Sequence, residues 1–97
     1  MNYDEFIGSL SSDQPPQKIP SVLKALWYDG KNDWEGSHNI AQDIDDKNGS
    51  WVHAYLHRKE GDISNAHYWY SRAGKSEPRM TLKEEWESLV RNFIEQA

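Results

Sequence analysis

Four histidines, His38, His53, His57 and His67, fall within a stretch of 30 residues, and two of them, His53 and His57, stand four apart. On a helix that spacing aims both imidazoles the same way one turn apart, so the pair can share one divalent transition-metal ion such as zinc. Glu60, three residues beyond His57, can add a carboxylate from the same face, and His38 or His67 can complete the set from a neighbouring helix. A metal-binding protein or small metalloenzyme using His53, His57 and Glu60 is one reading. Against it, the zinc-hydrolase spacing His-Glu-x-x-His is absent, and paired histidines are common on solvated helix faces.

Other chemistries find less support. There is no cysteine, which removes thiol nucleophiles, disulfides and cysteine-based zinc clusters. No serine lies in a Gly-x-Ser-x-Gly turn and no glycine-rich phosphate loop occurs, which argues against nucleophilic hydrolysis and nucleotide binding. Acids crowd one region: Asp29, Asp33, Glu35, Asp43, Asp45 and Asp46 face only Lys31 and Lys47. A carboxylate pair with one raised pKa would suit a hydrolase, but Asp43, Asp45 and Asp46 read as a solvated helix end. Bases gather later, at Arg58, Lys59, Arg72, Lys75 and Arg79. This change of sign along the chain favours self-association of opposed ends.

The chain of 97 residues is 36% hydrophobic and 28% charged, enough for one core and too short for two. Eleven bases against 16 acids give 11 − 16 = −5, a balance that disfavours nucleic acid and anionic lipid as partners. No apolar run reaches membrane-spanning length, and the acidic start Met1-Asn2-Tyr3-Asp4-Glu5 is unlike a secretory leader, so a cytoplasmic protein is expected. Five tryptophans and five tyrosines imply a small core built on rings.

Positioning these residues falls to helices. Gly30, Asn48-Gly49, Gly61 and Gly74 read as helix stops, because glycine enters the left-handed cap conformation without a Cβ clash. Asp33, Ser50 and Asp62 can cap the helices that follow, and Pro20 suits a first turn. Helices are predicted at about 20–29, 33–47, 50–60 and 62–73. A fifth starts with the capping box Thr81/Glu84 and carries Leu82, Trp86, Leu89, Val90, Phe93 and Ile94 on one face. Tyr3, Phe6, Ile7 and Leu10 can form a helical turn. The Ser-Ser-Asp-Gln-Pro-Pro stretch after it reads as a linker, so residues 1–18 are expected to be a loosely held arm and 19–97 a single domain.

An offset of 29 residues superposes 22–44 on 51–73 in physical pattern: Val22/Trp51, Leu23/Val52, Ala25/Ala54, Leu26/Tyr55 and Trp27/Leu56, then Ser37/Ala66, Ala41/Tyr70 and Ile44/Ala73. Two copies of a helical hairpin account for this. In the aromatic run Tyr68-Trp69-Tyr70, Tyr68 must point away from the side that Trp69 and Tyr70 share. With Trp27 or Tyr28 beside it, Tyr68 would form a contact patch.

The stretch from Gly61-Asp62 to Ala73, with Ala66, Tyr70 and Ala73 at packing spacing and Ala54 eight residues before Asp62, resembles the back half of a tetratricopeptide or Sel1-like repeat. The first copy keeps only the turn aspartate, Asp33, and the 29-residue period is shorter than the usual 34. The run from Trp51 to Asp62, continuing into Tyr68-Trp69-Tyr70, is also similar to a group of small bacterial helical proteins. The resemblance implies an all-α fold of about five helices: two antiparallel tetratricopeptide-like hairpins and a C-terminal amphipathic capping helix. It also implies binding of a protein partner or a second copy, without catalysis or cofactor. The residues expected to make those contacts are Tyr28, His53, His57, Arg58 and Tyr68.

Overall fold

Helices begin in this chain where a side-chain oxygen can accept an orphan backbone N–H. The computed structural model describes all 97 residues and contains six of them: α1 (Tyr3–Ser9), α2 (Ser21–Gly30), α3 (Trp34–Ala41), α4 (Lys47–Glu60), α5 (Ile63–Ala73) and α6 (Leu82–Gln96). Asn2, Asp33, Asp46, Asp62 and Thr81 cap five of these, and both α1 and α6 start with a complete capping box. Helix α2 instead starts behind Pro20, which has no side-chain bond to give.

Three expectations are corrected. The third helix stops at Ala41 rather than near 47, and the next one starts at Lys47 with Asp46, not Ser50, as its cap. Asn48-Gly49 is therefore no turn but the first turn of α4. Gly49 is required there for room: a Cβ on it would stand 2.2 Å from the Ile44 carbonyl oxygen. The first twelve residues of the N-terminal arm also pack on the rest of the chain. Phe6 is fully buried in the main core, Trp27 Nε1 donates to Ser9 Oγ, and Lys31 Nζ donates to the carbonyls of Leu10 and Ser12. This brings the helix count to six.

The 29-residue offset reappears in the backbone. Asn32 and Gly61, its counterpart, both take positive φ, 65° and 89°. Asp33 N–H donates to Tyr28 O at 2.9 Å and Asp62 N–H to His57 O at 3.0 Å, while Asn32 N–H reaches Asp29 O and Gly61 N–H reaches Arg58 O. Each turn thus closes the preceding helix with the same paired bonds and then caps the next with aspartate. Burial also corresponds: Ala25 and Ala54, Leu23 and Val52, Ser37 and Ala66, and Ala41 and Tyr70 are all buried pairs. Trp34 and Ile63 differ, the first half-buried and the second exposed.

Helix α2 packs mainly on α3, and α4 on α5. Helix α4 also touches α2, α3 and α6, whereas the only helix backbone against α5 is that of α4. Helix α6 lies across α2 and α4, and α1 lies on α6. The buried apolar residues form one main core, from Phe6 through Leu26, Trp27 and Leu56 to Leu89 and Phe93, and a smaller cluster of Ala54, Ala66 and Tyr70 between α4 and α5. Trp86 Nε1 donates to the Leu26 carbonyl at 3.0 Å and Trp34 Nε1 to that of Leu56 at 2.8 Å, so each indole is fixed on a neighbouring helix.

Two variants test this packing by urea unfolding. Phe6→Ala should lower stability by about 3–5 kcal/mol; a loss under about 1 kcal/mol would show that α1 does not belong to the core. Gly49→Ala should cost more than about 2 kcal/mol through its clash with Ile44, whereas Gly8→Ala, which meets nothing within 4 Å, should be neutral or gain up to about 1 kcal/mol.

Candidate functional site

Six consecutive residues of α4, Val52 to His57, are buried. Successive side chains turn by about 100°, so such a run cannot be buried against one neighbour, and its polar members must find partners inside. His53 and His57, 6% and 7% exposed, face His38 of α3 and Trp69 of α5. Expected as contacts to a partner, these two residues are buried within the chain. They are interior because the stripe of Ala54 and Leu56 is only part of what α4 buries.

Three imidazoles meet here. His53 Nε2 lies 2.9 Å from His38 Nε2, and a ring nitrogen from each of His38, His53 and His57 falls within 4.8 Å of the other two. Behind the cluster, His57 Nδ1 lies 2.7 Å from Glu60 Oε1. That bond needs a proton on Nδ1, and the other ring nitrogen, Nε2, lies 3.5 Å from the side-chain amide nitrogen of Asn65. Indoles wall the group on two sides: Trp34 stacks on His38 at 4.9 Å and Trp69 on His53 at 4.0 Å. His67 does not join them. It is exposed on α5 and pairs with Glu77 at 2.7 Å.

Burial holds the His53 pKa down to about 4, with smaller contributions from His38 and His57, and burial followed by the nearness of the His57 imidazole lowers that of His38. Near neutral pH both rings are uncharged, so the short contact between them joins one N–H to one lone pair.

Two buried carboxylates, Asp29 and Glu85, tie α4 to its neighbours. Asp29 of α2 accepts from Tyr55 Oη at 2.7 Å and from Lys59 Nζ at 2.8 Å. Glu85 of α6 accepts from Arg58 Nη1 at 2.8 Å and from the Tyr70 hydroxyl. Each carboxylate therefore receives one phenol and one cation. Burial first, then the adjacent carboxylate, pushes both phenols well above the usual tyrosine range, so they remain donors. A cleft of about 340 Å³ opens over Asp29 and Lys59 between Leu10, Leu82 and Trp86.

Of the five residues expected to make contacts, only Tyr68 is exposed. Tyr28 is half-buried and edge-on to Trp27, and Arg58 is committed to Glu85 and to the Met80 carbonyl. Sequence reasoning missed Asp29 and Glu85 as interior groups. The available signal was position: Asp29 continues the stripe Val22, Leu26 and Glu85 precedes Leu89 by four, so each carboxylate sits on an apolar face. It also missed Trp34 and Trp69 as walls of the histidine cluster, although the four-residue spacing of Trp34 and His38 on one helix was a signal for the first.

Comparison with models of known protein families, with curated proteins and with solved structures finds no match to this chain.

The histidine cluster has a measurable pH signature. A base whose folded pKa is depressed binds fewer protons than in the unfolded chain, so stability is complete above the unfolded value near 6.5 and declines as pH falls toward 4. The metal-free protein should lose about 3 kcal/mol across that window through His53. The difference between the wild type and His53→Gln, followed by urea unfolding at each pH, should shrink accordingly. A constant difference would rule out a neutral buried His53.

Proposed function

We propose that this chain is a non-enzymatic helical-repeat module that binds protein, a second copy of itself included, through the outward face of α5. The observation that carries the reading is an aromatic and arginine cluster on a helix whose backbone meets only that of α4. Tyr68 is 54% exposed, its ring stands edge-on to Trp69 at 5.2 Å, and Arg72 lies over both rings while donating to the Tyr68 hydroxyl.

Tyrosine, tryptophan and arginine are the side chains most often responsible for binding energy at protein interfaces. Here they are held together before any partner arrives, which lowers the entropy lost on docking. The duplicated turn geometry and the small residues Ala54 and Ala66 between α4 and α5 agree with the tetratricopeptide-like hairpins that the sequence resembles. In such a stack, α5 would be the open edge. Charge supports self-association: Arg72 and Lys75 at this edge are opposite in sign to Glu35, Asp43 and Asp45, all exposed around α3.

A photoreactive phenylalanine analogue at position 68, with the same residue at Glu87 on α6 as the control, tests the surface. In the purified protein, crosslinked dimers should form from position 68 at micromolar concentration and diminish with salt. Tyr68→Ser combined with Arg72→Ser should weaken association at least about tenfold, as followed by light scattering. Equal crosslinking from both positions, or an unchanged association constant in the double variant, would overturn the assignment.

A further inference from the structure

We propose that His38, His53 and His57 form a site for one divalent transition-metal ion of the zinc class, with Glu60 as the outer carboxylate that orients His57. This site lies between α3, α4 and α5, beneath the face assigned to protein binding, and neither proposal requires the other.

The donor set fits such an ion. Three imidazole nitrogens are already within 4.8 Å of one another. A tetrahedral ion with nitrogens at about 2.1 Å needs them about 3.4 Å apart. The His38–His53 separation of 2.9 Å has to open by about half an ångström, and any longer separation has to close by at most about 1.4 Å. Small ring rotations supply both. The donors come from two helices, His53 and His57 one turn apart on α4 and His38 from α3, so the spacing is set by helix packing rather than by a loop.

The surroundings point the same way. His57 Nδ1–H on Glu60 is the carboxylate–histidine arrangement that fixes the tautomer and raises the basicity of the nitrogen left to the metal. No cation competes for the inner nitrogens: His38 Nε2 and His53 Nε2 have only each other. On ion binding, the ring that donated through Nε2–H must carry its proton on Nδ1 instead, with no net change in charge. Stacking by Trp34 and Trp69 restricts both rings and limits access of water. The Asn65 amide nitrogen lies 3.5 Å from His57 Nε2, so an ion there requires this side chain to turn its oxygen inward or to give way to a water as fourth ligand. Imidazole donors without thiolate suit zinc, cobalt, nickel and copper and do not suit calcium or magnesium.

The test is titration of the metal-free full chain with zinc by calorimetry and with cobalt by visible absorption. One equivalent should bind with a Kd in the micromolar range or below, cobalt should show the intense bands of a tetrahedral site, and zinc at a hundredfold excess over Kd should raise the unfolding midpoint by about 10 °C. His38→Gln, at the half-buried member, should weaken binding at least about 100-fold, and Glu60→Gln about 10-fold or more. His67→Ala should leave binding unchanged. Circular dichroism reports whether each variant folds. Should His38→Gln fail to fold, paramagnetic shifts of the imidazole resonances in the cobalt-loaded wild type assign the ligands directly. A Kd above millimolar, equal weakening by His67→Ala, or shifted resonances that exclude His38 and His53 would overturn the proposal.

Discussion

The middle of α4 has no side that faces water. From Val52 to His57 every residue is buried, and the helix is accordingly enclosed by α2, α3, α5 and α6. This is an unusual demand on a segment containing two histidines and a tyrosine. A polar group moved out of water without a partner costs more than a typical apolar contact returns, so each had to be matched, two from other helices and one from the last turn of α4 itself. His53 finds His38, His57 finds Glu60, and Tyr55 finds Asp29. The rest of the architecture can be read as the set of helices needed to complete those matches while covering Val52, Ala54 and Leu56.

The same demand accounts for where the charges went. Asp29 and Glu85 would be poor core residues alone, but each is met by a phenol and a cation from the helices it faces. Such fixed geometry restricts how α2 and α6 sit against α4 more tightly than leucine packing would. Small side chains do the complementary work. Ala54 and Ala66 allow α4 and α5 to approach, and the large rings of Trp51, Trp69 and Tyr70 fill the margins.

How legible this was in the sequence depended on whether the determining contact was local. The cap at Thr81, the aspartates at 33 and 62, and the left-handed glycines at 61 and 74 are short-range features, and the structure reproduces them. Gly49 was misread because its reason is tertiary in kind: the chain at Ile44 folds against it, and glycine there marks a close approach instead of a stop. Phe6 was underestimated for a similar reason, since its partners in the core come from distant parts of the chain. The histidine pair was visible by its spacing. Its inward direction was not, because two faces of α4 could equally be taken as apolar, and only the arrival of α3 and α5 decides between them.

Enclosure of α4 also governs how the molecule comes apart. Pulling away α2 or α6 strands a carboxylate, a phenol and a cation together, so neither helix can leave by itself at small cost. Breathing motions are instead directed to the two helices with a single backbone neighbour, α1 on α6 and α5 on α4, of which α5 must also release Tyr70 from Glu85. Amide protons along the middle of α4 should therefore escape to solvent only through complete unfolding, and those of α1 and α5 through smaller, more frequent openings. The helices at the two edges are thus the parts of the chain most able to rearrange while the remainder stays folded.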